Sequence, residues 1–116
     1  MLDRLLNPFR SDLGRKIYDI KKDMERIVRR ITTEKSWVDR YGSPDKDPAL
    51  LVFWVCVQSD VEKERLTGDV ILKQKLRDQL AAHDYPEDAR TRVRIGFESQ
   101  ETVDRVSKGN WGRHWA

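Results

Sequence analysis

Leu50-Leu-Val-Phe-Trp-Val-Cys-Val57 is the one uninterrupted apolar run of eight in this 116-residue chain, and its reading decides the fold. Leu51, Phe53, Val55 and Val57 share one parity; Leu50, Val52, Trp54 and Cys56 share the other. Side chains of a strand alternate faces, so a strand here is apolar on both sides. That is the pattern of a central strand covered on both faces, often beside a parallel neighbour. A buried helix reads similarly, but the run is short, rich in β-branched and aromatic residues and preceded by Pro48. It falls well short of the about 20 apolar residues that span a bilayer.

Upstream, Leu13, Ile17, Ile20, Met24, Ile27 and Ile31 recur at alternating spacings of four and three, an apolar stripe at helical period ending near Thr32. Ser11 or Asp12 is the expected N-cap, with Pro8 separating the helix from a start that carries Leu2, Leu5, Leu6 and Phe9. The stripe also fits a heptad, but it covers under three heptads and is flanked by the like-charged Lys16 and Lys21. A helix packed on its own sheet is therefore preferred to a dimer seam.

Residues 32–48 read as a connector anchored by Trp37, Val38 and Tyr41, with turn chemistry at Gly42-Ser-Pro44 and Asp47-Pro48. Gln58 to Gly68 is polar and stays open between a loop and an exposed strand extension. A second helix is expected from Val70 to His83, capped by Thr67 or Asp69, with Leu72, Leu76 and Leu80 buried and Ile71 and Ala81 beside them. Tyr85-Pro86 ends it, and residues 86–89 form a turn. Arg92 to Glu98 alternates as a second strand, which with the intervening helix implies a right-handed βαβ unit with parallel strands. Ser99 caps a short helical turn through Val103 and Val106. Trp111, Arg113 and Trp115 share a parity, which suggests a short edge strand.

These pieces imply one α+β domain over residues 1–116, with residues 1–10 flexible or loosely packed. The architecture is a small two-layer or three-layer α/β sandwich: a short mixed sheet, a βαβ unit and an N-terminal amphipathic helix. The two helices are the elements long enough to cover the central strand, one on each face.

Charged residues make up 37% of the chain and mean hydropathy is −0.77, while four tryptophans argue against disorder. The net charge of +3 is concentrated: residues 1–35 carry ten Lys/Arg against six Asp/Glu. A single cysteine excludes an internal disulfide and a thiolate zinc cluster. Met1 to Pro8 lacks the apolar core of a signal peptide, so a cytoplasmic protein without membrane contact is expected.

Catalysis needs groups that can meet. Cys56 lies within the apolar strand, where burial suppresses the thiolate. His83 sits at a helix end and His114 near the C-terminus, and no His or Cys pair stands at metal-ligand spacing. Gly14, Gly96, Gly109 and Gly112 build no phosphate loop. Asp45/Asp47 and Glu62/Glu64 read as solvated carboxylates. No catalytic residue, cofactor or metal is expected.

The expected function is therefore non-catalytic: a protein-interaction or accessory subunit, as a homodimer or within a larger assembly. Its contacts are assigned to Arg92, Arg94, Trp111, Arg113 and Trp115, residue types favoured at interface hot spots. The alternative is nucleic-acid binding through Arg15, Lys22, Arg26, Arg29 and Arg30, with Arg92 and Arg94 on the strand. It ranks second because Asp19, Asp23 and Glu25 interrupt the positive charge. An enzyme of an unrecognised class comes third.

Overall fold

The computed structural model describes the backbone of residues 8–115 and the side chains from residue 12. The readings placed on Leu2, Leu5, Leu6 and the Phe9 side chain lie outside that range. The described chain is a small α+β fold in which a mixed three-stranded sheet carries its helices on both sides.

The first helix, α1, runs from Pro8 to Arg29. It begins earlier than the expected cap at Ser11 or Asp12, because proline suits the first turn of a helix, where its missing N–H has no partner to lose. Ile17, Ile20, Met24 and Val28 form the buried stripe. Val28 takes the last place expected of Ile31, which is 36% exposed beyond the helix end.

The segment read as a connector contains a strand, β1 (Trp37–Gly42), antiparallel to β2 (Leu51–Val57) with Val38 opposite Val55. Gly42 closes the turn at φ +113°, where a Cβ would meet the Leu50 carbonyl oxygen at 2.1 Å. After β2 come α2 (Asp60–Thr67), α3 (Val70–Ala82) and α4 (Glu87–Arg90). The chain then returns as β3 (Arg94–Ser99), parallel to β2 with Phe53 opposite Ile95. The strand order is β1-β2-β3, which makes the long apolar run the central strand.

The segment 58–68 is thus a helix rather than loop or strand extension. Ser59 caps it by accepting the Glu62 N–H at 3.1 Å. The Ser-x-x-Glu spacing of a capping box was present in the sequence. In α3, Asp69 is the N-cap, accepting from Leu72 N–H at 2.9 Å, and Leu72, Leu76 and Leu80 are buried. Ile71 and Ala81 are exposed.

Both long helices pack on the same face of the sheet. Ile17, Ile20 and Met24 of α1 and Leu72, Leu76 and Leu80 of α3 share one cluster with Val38, Phe53, Val55, Ile95 and Phe97. Each such buried side chain stabilises by about 1.5–3 kcal/mol. The expectation of one helix per face is corrected here: α1 and α3 are neighbours, and neither reaches the opposite face.

That second face is covered by α5 (Gln100–Ser107) and α6 (Trp111–Trp115). The tail is therefore a helical turn, not an edge strand. Asn110 accepts the Arg113 N–H at 2.9 Å, a cap. Trp111, His114 and Trp115 then stand at i, i+3 and i+4, on one side of the turn. Trp115 stacks on Trp54 at 4.6 Å between ring centroids and leans on Tyr41 at 5.8 Å, while Trp111 meets Trp37 edge-on at 5.4 Å.

Candidate binding surfaces

The carboxyl ends of parallel strands, where helices begin, commonly bind anions. Here β2 and β3 lead into α2 and α5: carboxylates take N–H groups at the start of α2, while in α5 the Glu101 N–H goes to the Gln58 carbonyl at 3.0 Å and the Thr102 N–H to the Ser99 hydroxyl at 3.2 Å. Glu34 accepts the Gln58 and Ser59 N–H groups, each at 2.9 Å, and the Ser59 hydroxyl at 2.5 Å. Glu101 accepts the Asp60 N–H at 2.7 Å. Asp60 in turn accepts the Ser99 and Thr102 hydroxyls at 2.6 Å and Arg105 at 2.8 Å. Those hydroxyls, with the guanidinium, hold the Asp60 carboxyl far below the usual range. Hydrogen bonds from Arg65 and Thr32 hold Glu62 down at about 2. The junction is a structural clasp whose donors are already occupied.

Beside it, His114 joins Ser107 to Glu98. A carboxylate can only accept, so Nε2–H donates to Glu98 at 2.9 Å and Nδ1 accepts the Ser107 hydroxyl at 2.9 Å. Lys63 also donates to Glu98, at 2.9 Å. Burial pushes the Glu98 carboxyl up, but Lys63, the Ser99 N–H and His114 outweigh it and leave it below its ordinary value. Hydroxyl, imidazole and carboxylate in a row are the parts of an activated nucleophile. Ser107, however, is 6% exposed and Glu98 9%. The row ties α6 to α5 and β3.

His83 likewise meets a carboxylate, Asp23 of α1, at 2.5 Å, and ties the end of α3 to α1. Neither pairing was legible from spacing along the chain. Cys56 is fully buried, and burial, with Asp39 and Glu98 nearby, drives its thiol far above the ordinary range. Among the described residues no group of three or more His, Cys, Asp or Glu is arranged to hold a metal ion. No helix among them is long and apolar enough to cross a membrane.

The residues singled out for partner contact do not form one strip. Arg92 and Arg94 are exposed and line an open groove of about 380 Å³ with Asp47, Leu50 and Val52. Arg90, at the same spacing, is drawn into α4, where it donates to the Tyr85 carbonyl at 2.6 Å. Trp111 and Trp115 are half-buried against the sheet, and Arg113 is exposed on α6.

Two surfaces belong to α1. Arg15, Lys22, Arg26 and Arg29 are all exposed on its outer side, with Arg30 exposed just beyond the helix. At its carboxyl end, Ile27 and Ile31 face Ile71 and Leu72 of α3 across a second groove of about 380 Å³, bordered by Arg30, Asp69 and Lys75. Ile71 lies 40 positions from Ile31 in the sequence, and only the packing of α3 beside α1 brings them to one groove. No protein-family model matches the chain, nor does any curated protein or solved structure.

Proposed function

We propose that the protein is a non-catalytic interaction module whose protein partner inserts apolar side chains between α1 and α3. One observation carries this reading: large apolar residues stay exposed where the two helices meet. Ile71 is 69% exposed and Ile31 36%, and Ile27 and Leu72 complete the groove between them; Val70, 73% exposed, precedes Ile71 on α3 outside the groove lining. Single exposed apolar residues need no explanation, whereas several around one groove mark a contact surface. Arg30 and Lys75 at its border favour an apolar segment flanked by Asp or Glu.

The test is selection from a random peptide library against the protein and against a Val70→Asp/Ile71→Asp variant. Both positions are exposed, so the substitutions leave the core intact. Peptides that bind the parent, lose at least about tenfold in affinity for the variant and carry apolar pairs beside acidic residues support the reading. An absence of selected peptides, or binding indifferent to the substitutions, overturns it.

A further inference from the structure

We infer that the outer face of α1 is a docking surface for the backbone of a nucleic-acid duplex. At 100° per residue, positions 15, 22, 26 and 29 fall within about 60° of one another, opposite the buried Ile17, Ile20, Met24 and Val28. Arg15 to Arg29 spans about 21 Å along the helix axis. Tyr18, 58% exposed, lies on the same side, with the Lys22 ammonium 5.4 Å from its ring centroid.

Two of the three acidic residues that broke up the charge along the sequence, Asp23 and Glu25, lie on the flanks of the row. Asp23 leaves the stripe to bond His83 of α3 at 2.5 Å. Glu25 lies on the other flank, where it receives the Val38 N–H of β1 at 3.4 Å. They keep a partial hold on two cations: Asp23 also pairs with Arg26, and Glu25 with Lys22 at 3.7 Å. Asp19 stays beside the row, about 20° from Arg26 around the helix and half-buried, and Asp12 pairs with Lys16 at 3.0 Å. Arg15, Arg29 and Arg30 form no ion pair among the described residues.

The kind of ligand follows from what the stripe holds. A straight row of cations suits the regular phosphates of a duplex. Contacts between cations and phosphates fix a protein on a duplex without reading its bases, so binding through this row is independent of sequence. One tyrosine is too few for the aromatic platform that single strands use. Chemistry distinguishes this surface from the α1–α3 groove, whose lining is apolar, and the two stand or fall separately.

Fluorescence anisotropy with labelled DNA and RNA duplexes of about 20 base pairs, across about 50 to 200 mM salt, tests the inference. Four phosphate contacts give a slope of log affinity against log salt near about −3.6, so that fourfold more salt weakens binding on the order of 100-fold. Replacing three of the four cations (Arg15→Gln, Lys22→Gln, Arg29→Gln) should reduce the slope to about −0.9. Charge reversal to Glu at the same sites should abolish binding, and a retained far-UV circular dichroism spectrum and melting temperature identify a folded variant. Arg92→Glu/Arg94→Glu and Val70→Asp/Ile71→Asp should leave duplex affinity within about twofold, as substitutions outside the contacted row. Three results overturn the inference: no anisotropy change at the lowest salt, a slope unmoved by the glutamine variant, or binding to phosphatidylserine vesicles in place of either duplex.

Discussion

A Cβ on Gly96 would lie 2.5 Å from Cζ3 of Trp54 and 2.8 Å from Cε3, so this glycine is where the Trp54 indole crosses the backbone of β3. The ring is held between that bare backbone and the stacked indole of Trp115. Neither partner can move outward without losing the other. The alternating pattern of Arg92 to Glu98 showed Gly96 on the polar parity of the strand, but it could not show that an aromatic ring fills the space above it. Gly96→Ala is therefore an overpacking change, expected to destabilise by about 1–3 kcal/mol. Urea unfolding followed by tryptophan fluorescence measures it. A cost near zero would mean that Trp54 shifts freely and that the stack is not held by this contact.

The elements that spacing alone identified are the long ones. In α1, α3 and β2 a period repeats enough times to exclude its rivals, and the parallel pairing of β2 with β3 followed from the helix between them. The misread elements are short. β1 has six residues of mixed polarity and takes its form from pairing with β2. In α2 a single residue, Leu66, is buried, so no apolar stripe announced the helix, although Ser59 and Glu62 marked its start. In α6 two periods compete over five residues, and the cap at Asn110 decides for the helix. A helix that short is not stable by itself. It is held by its aromatic contacts and by the His114–Glu98 bond, and it is the element expected to open locally. Cys56 reports that opening. It lies between Trp37 and Glu98 in the sheet register, and those two side chains meet Trp111 and His114 of α6. Trp115→Ala should speed native-state labelling of Cys56 by a thiol reagent about two- to tenfold, since an aromatic pair adds about 0.5–1.5 kcal/mol beyond the area it buries. An unchanged labelling rate would show that α6 does not gate the thiol.

Across the whole molecule, the two faces of the sheet are built differently. One is an apolar layer under α1 and α3; the other is aromatic at one end and polar at the other. The cationic row on α1 could be read from residue spacing, because four positions on one helix need only the helical period. The turning aside of Asp23 and Glu25 could not, because His83 and β1 had first to be placed beside α1. The same long-range logic governs the polar junction: Asp60 and Glu101 fasten the starts of α2 and α5 to each other, Glu34 and Glu62 tie the segment after α1 to α2, and Glu98 ties β3 to α2 and α6. Glu34, Asp60, Glu62 and Glu98 all have folded-state values below their ordinary ones. A carboxylate depressed by folding contributes stability that is present above its unfolded value and is lost as pH falls through the folded one. For Glu62 that window runs from 4.5 down to about 2. The four shifts share one sign, so their losses add as pH falls, with that of Asp60 beginning near its ordinary 3.8 and continuing below the Glu62 window. Urea midpoints should therefore fall steeply between about pH 4.5 and about pH 2.5, with a shallower fall in Glu62→Gln, which is less stable than the parent near neutral pH but has one fewer proton to take up. Midpoints that stay level across this interval would mean that the carboxylates are no better held in the folded chain than in the unfolded one, and the junction would not be the clasp that joins the two helices.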